Sequence, residues 1–331
     1  MDCRRRAGSR GRRCGRVLAI AAAVTLAGCG KLTANGASLY GEPLRACLEG
    51  GVPAQAVTDF GVREQGQGRD YEYTPQDTDA VISVARQSGL NLARIRNGTT
   101  EVPRVFATAL PADFGSDQPE ATRKFAFVAI VLPLVLHANE EIERDRRLVN
   151  RAARCPDGIG PANGAAASRI AGLHEEYGTG GDHAALLRRL DVVPPSIVIA
   201  QAAIATDWGA SRLAWRRNTL FGRRSQEATG VTAVPSVMAS VRAHIRMLNI
   251  DPAFTEFRDQ RAKQRRVADR LYGPELSQTL AGYSRRGDAY VLDLRTFILG
   301  NAFDQFDQAR LADGTPMPLA AASGPRIGDG G

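Results

Sequence analysis

The chain has 331 residues, of which 44% are hydrophobic and 24% charged, a composition that excludes a wholly disordered or low-complexity protein. Its formal net charge is +8, but residues 1–28 hold seven arginines and one aspartate, which leaves about +2 for the rest. The high overall charge therefore gives no reason to expect nucleic acid as a partner.

The first 29 residues read as an export signal. Seven arginines precede an uncharged, mostly apolar stretch at residues 17–28, which has the length of a signal-peptide core. The sequence Leu26-Ala27-Gly28-Cys29 that ends it resembles the lipobox of bacterial lipoprotein precursors, which are cut before the cysteine and acylated on it. This predicts a signal at 1–28, a lipid on Cys29, and a location on the periplasmic face of a membrane in the bacterial cell envelope. The alternative is a soluble secreted protein in which Cys29 is incidental.

Residues 29–75 are rich in glycine, proline and polar residues and predict a partly disordered tether. Cys47 and Cys155 are the two cysteines that follow Cys29. An oxidising compartment permits a disulfide between them, and the sequence leaves open whether it forms.

Residues 76–182 predict a helical lead-in region. Helical spacing begins within 76–92, and the strongest signal runs over 120–150, where Pro133 is expected to kink or break the helix. After a linker at 155–167, short helices are expected at 168–177 and 182–190, the second capped by Asp182.

The remaining chain predicts a mainly α domain, with a reduced β element, over 183–305. Helices are expected at 194–207, 211–217, 236–250, 251–266, 276–282 and 288–299, a short β piece at 230–234, and a disordered tail at 306–331. A basic cluster between Arg258 and Arg270 is read as a solvated helix face; the alternative is contact with an anionic polymer such as peptide-bearing cell wall.

Common catalytic and metal-binding motifs are missing. The sequence has no G-x-S-x-G, no phosphate-binding loop, no H-E-x-x-H and no C-x-x-C, and its four histidines are scattered. No metal and no cofactor are expected, and each histidine is read as a surface or packed residue.

Several motifs follow one another in a distinctive order. Pro194-Pro195 opens a run to Ala203, followed by Trp208-Gly209-Ala210-Ser211-Arg212 and Asn218-Thr219-Leu220-Phe221-Gly222. The stretches 240–254 and 283–290 resemble the patterns S-V-x-x-Y-x-x-x-L-N-x-x-P-x-Y and a later tyrosine motif. Together these resemble the glucosaminidase family of peptidoglycan hydrolases, and upstream stretches at 102–104 and 132–142 resemble an envelope-associated subgroup of it. The resemblance implies an α+β lysozyme-like fold and hydrolysis of the β-1,4 bond between N-acetylglucosamine and N-acetylmuramic acid.

Such cleavage needs a carboxylic acid that protonates the leaving oxygen. In the family this acid is the glutamate of A-x-E-S-x-W-G, and the matching position here is Ala205. An alanine has no proton to give, so the chain is expected to bind glycan strands with little or no hydrolysis.

Two carboxylates are alternative acids. Asp207 lies two residues from Ala205, about 200° around a helix, and is expected to point elsewhere. Glu227 is the only carboxylate between Gly222 and Ser236, a stretch shorter than in the family, and is expected to be an exposed loop residue. Use of either would make the chain an active glucosaminidase.

The remaining site residues follow from helical spacing and the resemblance. Gln201, Ala205 and Trp208 fall at i, i+4 and i+7 and are expected to share one wall of a cleft, with Trp208 mainly packed in the core and in some contact with the cleft. The resemblance implies that Tyr283 contacts a substrate N-acetyl group or assists catalysis, and the alternative is a buried tyrosine. Phe221 and Tyr290 are expected mainly to pack. The expected partners are peptidoglycan and, through the lipid, a membrane, with an envelope protein as a further candidate; a purely structural lipoprotein is the remaining alternative.

Overall fold

The computed structural model describes residues 70–116, 118–154, 164–222, 234–268 and 270–313, and the structural statements that follow concern these residues. The predicted signal at 1–28, Cys29, Cys47, Cys155 and Glu227 lie outside them, as do most of the tether and the chain beyond residue 313.

The described part begins with a small parallel sheet. Strand β1 (Tyr71–Tyr73) pairs with β2 (Val105–Ala107), and helices α1 (Thr78–Gln87) and α2 (Leu92–Arg96) connect them. The tether was thus predicted too long, since its last residues form a strand. The helix predicted in 76–92 is shorter than expected because Gly89, with φ of +74°, ends it.

Helix α3 (Glu120–Arg154) is the long helix that the apolar stripe predicts. It runs through Pro133 as one continuous helix, so the break that was one of the two expected effects of this proline does not occur. By length and composition alone this helix is apolar enough to cross a membrane. However, 78% of its most apolar 18-residue window is buried, as in the central helices of protein cores.

Most of the helices that follow match the predicted pattern, but two short 3₁₀ segments replace nearly all of the helix expected at 276–282. Helices α4 (Gly164–Tyr177) and α5 (His183–Arg189) are joined by a glycine-rich turn, and Asp182 caps α5 by accepting from the backbone nitrogens of Ala184 and Ala185. The later helices are α6 (Pro195–Thr206), α7 (Arg212–Arg217), α8 (Val237–Ile250), α9 (Thr255–Val267), α10 (Gly273–Leu276) and α11 (Asp288–Gly300). Four 3₁₀ segments accompany them, at Pro252–Phe254, Ser277–Thr279, Ala281–Tyr283 and Asp304–Gln308.

The prediction of a mainly α fold is confirmed. The two-stranded sheet among the described residues lies before α3, and the β piece expected at 230–234 falls almost wholly outside the described residues. Helix α6 is apolar on nearly every side and packs against α3, α8, α10 and α11, so it is the centre of the core.

The lead-in region shares this core with the C-terminal helices. Buried side chains from Val81 to Leu311 form one hydrophobic cluster. Polar contacts reinforce it: the Asn139 side chain donates to the Val193 carbonyl (2.8 Å) and accepts from its backbone nitrogen (3.2 Å). Glu141 receives two hydrogen bonds from Arg242 of α8. The boundary predicted at residue 183 therefore does not separate two cores.

The predicted disordered tail begins too early. Phe306 is fully buried within the 3₁₀ segment Asp304–Gln308, and Leu311 forms a parallel bridge with Val102. Order therefore extends at least to residue 313, because the apolar side chains of this segment complete the core around α6.

The basic cluster on α9 is not the solvated face that was expected. Arg261 is completely buried and Arg258 nearly so. Arg261 donates to the backbone carbonyls of Asp191 and Val192 (both 3.0 Å), and Arg265 donates to the Asp191 carboxylate (2.7 Å). These arginines therefore hold together the chain segment that leads into α6, and only residues such as Lys263 and Arg266 remain exposed.

The start of α6 is held by a distant carboxylate. Asp307 accepts from the Ser196 backbone nitrogen (2.9 Å), the Ser196 hydroxyl (3.0 Å) and the backbone nitrogen of Gly273 (2.8 Å). It thus satisfies free N–H groups at the first turns of both α6 and α10. A side chain at Gly273 has no room, since an added Cβ would lie 1.9 Å from the Ser196 hydroxyl.

Asp307 is expected to make stability depend on pH. Burial raises its pKa to about 7, although its three hydrogen bonds oppose part of that rise. Because the folded-state pKa exceeds the ordinary value of 3.8, the native state binds the proton more tightly, and the free energy of unfolding should fall as pH rises from about 4 to about 7. Urea unfolding across this range, compared between wild type and Asp307→Asn, measures the contribution. An identical pH slope in the two proteins would contradict this assignment.

Candidate functional site

Gln201 is the central residue of a set of buried, hydrogen-bonded polar side chains beneath the end of α6. Its side-chain nitrogen donates to the Tyr290 hydroxyl (2.9 Å), and its side-chain oxygen lies 2.8 Å from Nε2 of His244. Since an amide oxygen can only accept, His244 carries its proton on Nε2. Burial lowers the pKa of His244 to about 3, so the ring is neutral at physiological pH.

Aromatic rings enclose this group. The His244 ring stacks on Phe221, with centroids 3.7 Å apart, and Tyr283 stacks on Tyr290 at 5.3 Å. Phe221 and Tyr290 are buried, and burial raises the pKa of Tyr290. Tyr283 is only partly buried. We call Gln201, Phe221, His244, Tyr283 and Tyr290 the aromatic cluster; Tyr283 is its member nearest to solvent.

Ala205 lies one helical turn beyond Gln201 and is exposed, next to Ile204, which is 43% exposed. The predicted placement of residues 201 and 205 on one side of α6 follows from their i, i+4 spacing. The methyl group of Ala205 therefore faces solvent at the end of the helix, above the buried aromatic cluster.

Trp208 is not part of that wall. Helix α6 ends at Thr206, so helical spacing does not extend to residue 208. The Trp208 ring is buried against Phe127, Phe297 and Phe303, with centroid distances of 5.5–5.9 Å, and the Lys124 ammonium lies 5.0 Å from it. Its role in the structure is core packing.

A left-handed turn ends α6. Asp207, Trp208 and Gly209 have φ values of 49°, 56° and 85° in succession. The Thr206 hydroxyl stabilises the turn by donating to the Ala202 carbonyl (2.7 Å) and accepting from the Gly209 nitrogen (2.9 Å). Residue 209 must be glycine, because an added Cβ would lie 2.5 Å from the Phe114 ring.

The chain was compared with known proteins. Residues 181–294 match the family model for glucosaminidase, described as mannosyl-glycoprotein endo-beta-N-acetylglucosaminidase. Residues 181–294 form a glucosaminidase-family domain. The chain is also 30% identical over 182 residues to "Protein bax" of Escherichia coli (strain K12). That match covers 51% of this chain and 66% of the bax protein, just under two thirds of its length. No solved structure matches the chain.

The predicted resemblance is thus confirmed, and the glucosaminidase domain covers the whole site. It includes α6, the left-handed turn and the aromatic cluster. Ala205 therefore lies within this domain, one helical turn from Gln201, whose side chain is buried and hydrogen-bonded. Gln201, Phe221, Trp208 and Tyr290 are all buried, but Trp208 packs in the hydrophobic core and not in the aromatic cluster.

Two carboxylates were named as alternative acids for the domain. Asp207 lies beyond the helix end in a left-handed conformation, so the expected angle of about 200° around α6 does not describe it. Its carboxylate is exposed and has no hydrogen bond or ion pair with another described residue. Glu227 falls outside the described residues. Among the described residues there is also no group of three His, Cys, Asp or Glu side chains that could hold a metal ion.

His244 is the site residue that sequence reasoning missed. It was treated as one of four scattered histidines, but it falls at the tyrosine position of the pattern S-V-x-x-Y that begins at Ser240. That register was the available signal. Ser240 itself is buried and accepts from the Leu220 nitrogen (3.0 Å), which ties α8 to the loop that carries Phe221.

Proposed function

We propose that this chain is an exported lipoprotein of the bacterial cell envelope whose glucosaminidase domain binds peptidoglycan glycan strands with little or no hydrolysis. One observation carries the proposal: the position of the family's general acid is an exposed alanine at the end of α6. Proton donation by such an acid typically contributes about 10²–10⁴-fold to the rate. A methyl group cannot replace it.

The rest of the site supports binding. In the aromatic cluster, Gln201 donates a hydrogen bond to the Tyr290 hydroxyl and accepts one from Nε2 of His244, and Tyr283 covers the cluster on the solvent side. Side chains that are held in one geometry lose little conformational entropy when a ligand binds. A half-buried tyrosine offers a sugar both a ring face and a hydroxyl.

The competing function is an active glucosaminidase that uses a displaced carboxylate. The position of Asp207 favours this competing function, since Asp207 follows the end of α6, close to Ala205. Its backbone argues against it, because Asp207 lies beyond the end of α6 in the left-handed turn and not one helical turn from Gln201, where the motif places the acid. Glu227 is the second candidate for this role.

Binding and hydrolysis are separated by one experiment. Full-length chain, purified with detergent, is mixed with insoluble peptidoglycan; the bound fraction is measured by sedimentation and the released reducing ends are counted. We expect co-sedimentation without steady release of reducing ends. Release of reducing ends that disappears in Asp207→Asn or Glu227→Gln would establish the active enzyme instead. Failure to co-sediment at low salt would show that the chain has no affinity for glycan strands.

The membrane anchor is tested separately. We expect the wild-type chain to fractionate with membranes and to incorporate a radiolabelled fatty acid, because the thiol of Cys29 is the predicted acylation site. Cys29→Ser should lose the label. Equal labelling of the two proteins, or no labelling of wild type, would contradict the lipoprotein assignment and favour a soluble secreted protein.

A further inference from the structure

Helix α7 follows the left-handed turn directly and lies close to the end of α6. The Ser211 backbone nitrogen donates to the Thr206 carbonyl (2.9 Å), which ties the start of α7 to the last residue of α6. The Ser211 hydroxyl then caps α7 by accepting from the Ala214 nitrogen (3.3 Å). Whatever occupies the surface at Ala205 therefore has α7 as a neighbour.

The outer face of α7 is strongly basic. Residues 208–222 contain three arginines and no carboxylate, and all three, Arg212, Arg216 and Arg217, are exposed. None of them forms an ion pair with a described carboxylate, whereas exposed arginines elsewhere do, as in Arg188–Asp259 and Arg286–Asp293. We call these three residues the α7 arginines.

The positive charges of the α7 arginines partly destabilise the helix that carries them. Arg212 and Arg216 stand at i and i+4, where like charges destabilise a helix. Only the two residues of the last turn gain from the helix dipole. The arrangement is therefore better explained by an anionic partner than by helix stability.

Packing fixes the position of α7. The Arg216 guanidinium lies 4.9 Å from the centroid of the Trp215 ring, and Ala214 is fully buried. Trp215 in turn lies against Gly115, where an added Cβ would be 2.9 Å from the indole nitrogen. The α7 arginines are thus presented by a helix that is held against the domain.

We propose that the α7 arginines bind carboxylates of the peptide stems attached to the glycan strand that lies at the end of α6. Guanidinium groups match carboxylates with two parallel hydrogen bonds, and peptide stems place carboxylates at intervals beside the sugar chain. The inference rests on the proposed function, because it assumes a glycan at Ala205, and it adds that the domain prefers peptide-bearing over peptide-free strands.

The test compares two preparations of peptidoglycan, one intact and one stripped of its peptides by an amidase. Full-length chain should bind the intact material about 10-fold more tightly at low salt, the range expected for a few exposed charge pairs, and the difference should shrink at high salt. Changing Arg212, Arg216 and Arg217 together to glutamine should abolish the preference but keep binding to stripped strands. Circular dichroism confirms that the variant is folded.

A matched control removes three exposed positive charges elsewhere. Arg151, Lys263 and Arg266, changed together to glutamine, should leave the preference intact. An equal loss in the control would overturn the inference, since it would show an effect of net charge alone. Equal binding of wild type to both preparations would also overturn the inference, but it would remain consistent with the proposed function. Binding to neither preparation would contradict the proposed function itself. A triple variant that loses binding to vesicles containing phosphatidylglycerol but keeps its preference for intact peptidoglycan would assign the α7 arginines to a membrane instead.

Discussion

Replacing Ala205 by glutamate is expected to raise the release of reducing ends from peptidoglycan by about 10²–10⁴-fold, the usual contribution of a general acid. The position is exposed at the end of α6, so the larger side chain meets no buried neighbour. Its carboxyl group would stand one turn above Gln201 and the aromatic cluster, where the family places its acid. The measurement is a reducing-end assay on isolated peptidoglycan, with binding followed in parallel.

The matched control for this variant is Ile204→Glu. Ile204 is also exposed and adjacent in sequence, but its side chain points about 100° away around the helix. It adds the same carboxyl group outside the expected position and should give no activity. Should Ala205→Glu bind peptidoglycan normally and still release nothing, the site must lack more than its acid, and an interpretation based on this one missing group would be wrong.

Arg261→Met is expected to lower the free energy of unfolding by about 3–5 kcal/mol, the usual cost of removing one partner of a buried ion pair. Arg261 is completely buried and reaches the carbonyls of Arg188, Arg189, Asp191 and Val192 as well as the Asn249 side chain (2.7 Å). Its loss leaves these acceptors without a donor. Burial lowers the pKa of Arg261 to about 10, so the side chain is charged at neutral pH.

Urea unfolding measures this loss, and Lys263→Met on the same helix is the control. Lys263 is exposed, so its substitution should change the free energy of unfolding by no more than about 0.5 kcal/mol. If Arg261→Met proved as mild as the control, the buried arginine would not be what holds the segment before α6 in place.

The sequence predicted best what depends on neighbouring residues. The predicted cap Asp182 accepts hydrogen bonds from the first turn of α5, because a short polar side chain can reach only the backbone next to it. The positions of glycine and proline likewise predicted most helix ends to within a few residues. These signals are local, and they need no knowledge of the rest of the fold.

What the sequence could not supply is contact between distant segments. From the sequence alone, Arg261 is predicted to be a solvated charge. In the fold, Asp191 and five acceptor oxygens surround it. Its spacing with Phe257 and Gln264, at i, i+4 and i+7 on the buried face of α9, was the one hint. Phe306 was assigned to a tail for a similar reason, since the core that it fills is built from residues far away in the chain.

The site was predicted in part. The position of Ala205 at the end of a helix was correct, because the motif fixes it. The inclusion of Trp208 in the same wall failed, because helical spacing was carried past the point where the backbone turns left-handed. Gly209 was the signal for that turn, as glycine is the usual residue where a helix ends in this way.

The left-handed turn has a consequence for how the domain should be understood. Residues other than glycine in this conformation typically cost about 1–3 kcal/mol each, and such strain persists only where the surroundings enforce it. Asp207 and Trp208 adopt it here, in a turn that the Thr206 hydroxyl holds through its bonds to Ala202 and Gly209, and residue 205 carries no proton donor. Under the proposed function, this strained backbone shapes a surface for ligand binding and does not position a proton donor.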